Sequence, residues 1–310
     1  MPDREKQTVT VIAGPTASGK SGLALALAER LGGTVINADS MQVYRCLERL
    51  TDQPDAAARS RAPHRLYGIL DPSEPCSAGR WRELALKEID ASLAADRPPI
   101  AVGGTGLYLK ALIQGIAPVP EIPDKVRTAV RARLVALGNQ AFHEDLGARD
   151  ARSAAAIGPG DTQRMIRAAE VIEATGRSLT DWQSEPPEGP PGHLGFRTIL
   201  LMPARDTLYA AIEARVERMA AAGALEEAAA LAARGLAPDL PAMKALGVAE
   251  LAAAARGAAP LDEALVRLKT ATRNYAKRQI TWFKGQMVAD LILTAQFSES
   301  NRKEFFTKIL

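Results

Sequence analysis

The stretch VTVIAGPTASGKSGLALALAERLG, residues 9 to 32, carries Gly14-x-x-x-x-Gly19-Lys20-Ser21 between a β-branched run and a run rich in alanine and leucine. No other feature constrains the fold as tightly. The glycines let the backbone curl so that several N–H groups point inward, Lys20 adds a point charge, and the N-terminus of the following helix favours an anion. Thr8–Ala13 reads as the buried strand before the loop, and Gly19 to Leu31 as the helix after it, stopped by Gly32 and Gly33. Gly14, Pro15, Thr16, Ala17, Ser18, Gly19, Lys20 and Ser21 are thus expected to cradle two linked phosphates, with the Ser21 hydroxyl placed to ligate Mg²⁺. The loop by itself leaves open what carries those phosphates.

The α/β alternation continues. TVINA (34–38) reads as a second strand ending at Asp39, Trp81–Ala95 as a helix, and Ile100–Val102 as a third strand running into GGTGLYLKAL. Short apolar strands separated by helices imply a parallel sheet with right-handed crossovers. The connector GIAPVPEIP (115–123) interrupts this pattern, and residues 124 to about 176 read as helices only. After the linker SEPPEGPPGHLG (184–195), FRTILLMPA (196–204) restores a strand, and ADLILT (289–294) reads as a last one. The expected organisation is an α/β core over 1–120, a helical insertion over 121–195, and a mostly helical return to the core over 196–310.

An acid at the C-terminal end of a strand in an open parallel sheet faces the ligand crevice. Asp39 meets that description, as a base, as a metal ligand through water, or as a turn residue. The third strand ends in Gly103–Gly104–Thr105 with no acid, which weakens a nucleotide-hydrolysing reading and leaves the Thr105 hydroxyl beside the crevice.

Composition excludes little. The chain has 310 residues, 47% hydrophobic and 24% charged, as a globular enzyme does. Its formal net charge of +3 is too small to argue for nucleic acid, so local clustering must. Cys46 and Cys76 have no second ligand at metal spacing and read as reduced thiols of a cytoplasmic protein. MPDREKQ shows no signal peptide, and no apolar run is long enough for a bilayer.

Clustering is present. From 269 to 284 there are five basic residues (Lys269, Arg273, Lys277, Arg278, Lys284) and no acid, and the first three share one helix face. Asn274, Tyr275, Gln279, Trp282 and Phe283 are interleaved. The insertion adds Lys125, Arg127, Arg131 and Arg133, then Gln163 with Arg164 and Arg167. Such surfaces suit a phosphate backbone, with amides for base edges.

Taken together, GPTASGKS, INADSMQVY, APHRLYGILDP, VGGTGLYLKAL, DTQRMIRAAEV and NYAKRQITWF resemble, in order and over nearly the whole chain, the bacterial tRNA dimethylallyltransferases, also called isopentenyltransferases. The resemblance implies a P-loop core like that of nucleoside-triphosphate hydrolases. It implies transfer of a dimethylallyl group from dimethylallyl diphosphate to N6 of adenosine 37, just 3′ of a tRNA anticodon, with pyrophosphate leaving. It also implies a cytoplasmic, usually monomeric enzyme that uses Mg²⁺ and binds the tRNA anticodon loop. By the same resemblance Asp39 is the base, Lys20 and Thr105 complete the catalytic set, and Thr16 and Ser21 meet the diphosphate or its metal. The tRNA contacts carried over are Asp39, Ser40, Met41, Gln42, Thr105, Arg127, Gln163, Arg164, Met165, Ile166 and Arg167, to which the basic stripe adds Arg273, Lys277 and Arg278. Two stretches depart from the family pattern: MKALGVAEL has Val248 where a tyrosine is usual, and RLTDQPD has Leu50–Thr51 where Gly-Thr is common. A small-molecule kinase or NTPase built on the same loop is the alternative.

Overall fold

The computed structural model describes residues 6–310; residues 1–5 of the polar N-terminal stretch lie outside the described residues. Two compact units are formed, one by residues 6–113 with 190–310 and the other by 114–189.

In the first unit the strands are β1 (Gln7–Ala13), β2 (Thr34–Asn37), β3 (His64–Arg65), β4 (Pro99–Gly103), β5 (Leu194–Leu201) and β6 (Leu291–Leu293). They form one parallel sheet in the order β3-β2-β4-β1-β5-β6. The register sets Val11 opposite both Ala101 and Thr198. β2 and β4 are wholly buried and β1 is buried over Val11–Ala13, which accounts for their apolar reading. The helices between them are α1 (Lys20–Leu31), α2 (Glu48–Thr51), α3 (Ala56–Arg61), α4 (Ala78–Ala94) and α5 (Gly106–Gln114). α1 buries Leu23 through Ala28 against Ile12, Val35 and Ile100, so its alanines and leucines serve one packed layer.

The second unit holds α6 (Asp124–Arg149), α7 (Ala151–Ala156), α8 (Thr162–Thr175) and α9 (Leu179–Ser184) around Val130, Phe142, Leu146 and Met165. Gly138 has φ 72° and ψ 169° and breaks α6 into two segments. A bridge between Ile116 and Glu188 sets the unit's entering and leaving strands side by side. The unit's limits at 114 and 189 are therefore wider at the start and tighter at the end than 121 and 195. β5 begins at Leu194, inside the stretch read as a linker.

The chain then adds α10 (Arg205–Ala221), α11 (Ala224–Ala233), α12 (Val248–Ala255), the long α13 (Leu261–Gln286) and α14 (Arg302–Ile309). Val248 is buried in the main core with Leu251, Ala252 and Leu268, so no aromatic side chain is presented there. β3 has two residues and no hydrophobic alternation, so nothing in its sequence marks it as a strand. Among the described residues no helix is long and apolar enough to cross a membrane.

Candidate active site

The phosphate loop joins β1 to α1. Gly19, at the helix N-cap, has φ 87°, and Ala17 takes the left-handed region at φ 63°, unusual for a residue with a side chain. Such alternation makes a concave row of N–H groups that accepts an anion. Lys20 is half-buried, and its ammonium donates to the Pro15 carbonyl at 3.1 Å. Burial pushes its pKa down to about 8, against a raising effect from the Asp39 carboxylate and a lowering one from Arg215. Ser18 is fully buried and its hydroxyl has no protein partner, whereas Ser21 is exposed on the first turn of α1.

Above this turn lies a cleft of about 410 Å³ lined by Ala17, Gly19, Lys20, Ser21, Gly22, Asp52, Ala211, Arg215, Arg218 and Gln296. Arg215 on α10 donates to the Thr16 hydroxyl and, at 2.9 Å, to the Thr51 carbonyl, and pairs with Asp52 at 3.5 Å. Lys20, Arg215 and Arg218 thus bring three cations to one cleft, which suits a polyanion. The arginines were not singled out from sequence, because α10 reads there only as an alanine-rich helix. The Leu50–Thr51 segment buries the Leu50 side chain in the main core and offers the cleft a backbone carbonyl: Gln42 also donates to the Thr51 carbonyl, at 2.8 Å.

Asp39 leaves the sheet at the end of β2 through a clamped turn. The buried Asn37 side chain accepts the Asp39 N–H at 2.8 Å and donates to the carbonyls of Asp39 and Leu66, each at 3.0 Å. Trp81 Nε1 donates to the Asn37 carbonyl at 2.9 Å. Asp39 Oδ1 then accepts the Met41 N–H at 3.0 Å, which orients the carboxylate. Its charge is felt by Lys20 and helps push the phenols of Tyr67, Tyr108 and Tyr275 upward, behind the larger effect of their own burial.

Thr105 follows β4. Its hydroxyl accepts the Ser40 N–H at 2.9 Å and donates to the Ser40 hydroxyl at 3.2 Å, joining the ends of β2 and β4. Gln279, buried on α13, closes the other side: its Oε1 accepts the Thr16 N–H and its Nε2 donates to the Gly104 carbonyl, both at 2.8 Å. A Cβ at Gly104 would come within 2.3 Å of that amide, and one at Gly106 within 2.2 Å of the Trp282 ring. Gly104 and Gly106 let α13 approach, while Gly103 lies against the Ala38 backbone at the end of β2.

The basic stripe is less free than its sequence suggests. Lys269 pairs with Glu217 and Arg273 with Glu213, the latter at 3.0 Å, so α10 supplies the acids that the window from 269 to 284 lacks. Lys277 and Arg278 are exposed. With Asn274, Thr281 and Trp282 they line a second hollow of about 510 Å³.

The remaining expected contacts lie in the second unit. Met165 is fully buried against Val130 and Phe142, so it packs that unit's core and has no surface for RNA; this corrects its expected role as a contact. Ile166 is partly buried against the same core, while Gln163 and Arg164 are exposed. Burial lowers the Arg167 pKa, and the neighbouring Arg127 adds to the lowering, against Glu170. Arg127 Nε is buried without a hydrogen bond. Arg133 is taken up by Asp145 and Glu173.

A family model described as IPP transferase matches residues 42–286. The chain is 56% identical over 281 residues to a tRNA dimethylallyltransferase of Rhodospirillum centenum, covering 91% of this chain and 90% of the relative. It is 51% identical over 299 residues to that of Paramagnetospirillum magneticum, covering 96% and 95%. A full-length tRNA isopentenylpyrophosphate transferase from Bacillus halodurans superposes with a TM-score of 0.68 at 34% identity, covering 98% of this chain and 96% of the other. A eukaryotic dimethylallyltransferase solved acting on tRNA gives 0.81 at 25% identity, covering 98% and 78%. These relatives are named for prenyl transfer, which favours that reading over the kinase or NTPase alternative. With the sheet, the phosphate loop and the clamped Asp39 in place, the chain belongs to the tRNA dimethylallyltransferase family, the IPP transferases.

Proposed function

We propose that the chain transfers the dimethylallyl group of dimethylallyl diphosphate to N6 of the adenosine 3′ to a tRNA anticodon, position 37. The diphosphate occupies the cleft at the N-terminus of α1. The observation that carries this reading is a cationic phosphate cradle at the end of β1 together with a single oriented carboxylate at the end of β2, two parallel strands separated only by β4.

In the reaction a C–N bond forms at the allylic carbon and the C–O bond to the diphosphate breaks. Negative charge grows on the departing pyrophosphate, in the cleft that Lys20, Arg215 and Arg218 line and beside the loop N–H groups. Adenine N6 is a weak nucleophile, and Asp39 takes its proton. Thr105 holds Ser40 and the end of β2, and so presents Asp39 and the Ser40–Met41–Gln42 turn to the target nucleotide. Withdrawing that base from its stack costs about a few kcal/mol, offset by contacts to the rest of the loop.

The donor set near the cradle suits Mg²⁺. Among the described residues no three of His, Cys, Asp and Glu gather into a metal site. One hydroxyl, Ser21, with diphosphate oxygens and water, is the type of shell Mg²⁺ accepts. When bound, the ion offsets diphosphate charge.

For RNA, Arg127, Gln163, Arg164 and Arg167 in one unit and Lys277 and Arg278 in the other are the phosphate-seeking groups. Arg273 contributes less because Glu213 neutralises it. Lys277→Ala should weaken tRNA binding several-fold and lower the slope of log affinity against log salt by roughly one unit or less. Arg273→Ala should move both far less. Anisotropy titrations at several salt concentrations read both, and equal effects of the two variants would return Lys277 to an ordinary solvated surface. In keeping with the family resemblance, the enzyme acts as a monomer where tRNA resides, in the cytoplasm.

The decisive experiment is mass spectrometry of tRNA after incubation with the protein, Mg²⁺ and the allylic donor. Isopentenyladenosine at position 37 is expected. Its absence, with turnover of ATP instead, would overturn the reading.

A further inference from the structure

We infer that the segment Gln296–Phe297, 279 residues from the phosphate loop and outside every motif above, is a strap that sets the phosphate cradle open, with Gln296 as a positioning residue for diphosphate. The inference rests on the proposed reading of the cleft.

Gln296 Nε2 donates to the Ala17 carbonyl at 2.8 Å, and the Phe297 N–H points at the Ser18 carbonyl at 3.4 Å. These are two successive carbonyls of the loop. In a trans peptide the N–H points opposite to the C=O. Holding the Ser18 carbonyl outward therefore turns the Gly19 N–H to the other side, and Gly19 lines the cleft. The same restraint keeps two carbonyl oxygens, which repel phosphate, turned toward the strap. Ala17 is the loop residue with a side chain in the left-handed region, and its carbonyl is the one bound to Gln296. An external bond offsets the cost of that conformation.

The fit is close. A Cβ at Gly19 would lie 2.6 Å from the Phe297 carbonyl oxygen, and one at Gly22 would lie 3.2 Å from the Phe297 ring. The two glycines thus serve the strap as well as the ligand. The strap is itself anchored: Asn301 Nδ2 donates to the Gln296 carbonyl at 2.9 Å, and the Phe297 ring packs edge-on against Phe305 of α14 at 5.3 Å. Gln296 reaches the loop from that anchor and lines the cleft.

Gln296→Met keeps length and bulk but removes the donor. Binding of inorganic pyrophosphate with Mg²⁺, read by calorimetry, should weaken about tenfold, the worth of one such bond. The donor KM should rise in proportion, with kcat, tRNA affinity and melting temperature close to those of the parent. Gln296→Lys, which restores a donor to the Ala17 carbonyl, should recover most of the pyrophosphate affinity. If the parent binds pyrophosphate and Gln296→Met binds it equally well, the strap is only packing and the inference fails. A fall in melting temperature with unchanged pyrophosphate affinity also refutes it. A parent that binds no pyrophosphate would instead bring down the reading of the cleft, whatever Gln296 does.

Discussion

Asp39→Asn is expected to reduce single-turnover prenyl transfer by about 10²- to 10⁴-fold, the usual contribution of a positioned base. The substitution is nearly isosteric. Its amide oxygen can still accept the Met41 N–H that Asp39 Oδ1 accepts at 3.0 Å, and the Asn37 clamp does not involve the carboxylate at all. The turn and its RNA-facing residues should therefore persist, leaving tRNA affinity within about twofold. A base role predicts that split between binding and chemistry. A turn role predicts the reverse, because an asparagine would satisfy the turn and leave activity intact. Rapid-quench measurement with labelled donor at saturating tRNA separates the two; transfer at the parent rate would remove Asp39 from the reaction.

Lys20→Met should cost about 10²- to 10³-fold in kcat/KM for the allylic donor, since charge on the leaving group grows where the ammonium sits. A pH signature accompanies it. In the free protein burial holds the Lys20 pKa near 8, and bound diphosphate, a polyanion, must raise it. The form that binds is the protonated one, so below about pH 8 affinity is fully present. As pH climbs above that value each pH unit costs about tenfold until the pKa of the complex is reached. Binding near pH 9 must therefore take up a proton, visible as buffer-dependent heat in calorimetry and missing from Lys20→Met. Pyrophosphate affinity that stays flat from pH 7.5 to 9.5 would show that the ammonium does not meet the ligand.

How much of this could be read from residues alone varied with distance along the chain. The phosphate loop is contiguous, and its strand–turn–helix context spans 25 residues, from Gln7 to Leu31, so its place in the fold was legible. Asp39 and Thr105 were legible because an end of a parallel strand is itself an address. Arg215 was not: its partner Thr16 is 199 residues away, and nothing in EARVERMAAA distinguishes it from a solvated arginine. For the same reason the pairing of Lys269 and Arg273 could not be read from their own helix. The helix window held no acid, while Glu213 and Glu217 waited one turn apart on α10. Met165 was misjudged because a motif gives its members equal standing, whereas a helix does not: α8 turns Gln163 and Arg164 outward and Met165 into the core. Gly138 lay within a stretch read simply as helical, and only its backbone angles show that α6 breaks there.

The separation of cradle and strap, 279 residues between Gln296 and Ala17, has a consequence for how the molecule comes into being. Thr16 likewise waits on Gln279, 263 positions downstream. A nascent chain carries its anion motif well before it holds both braces, which are complete only once translation has passed residue 296. Long loop closures of this type are slow steps in folding. The ribosome-bound protein should therefore hold an unfinished, weakly binding loop, and competence for pyrophosphate should arise as one of the latest events of maturation.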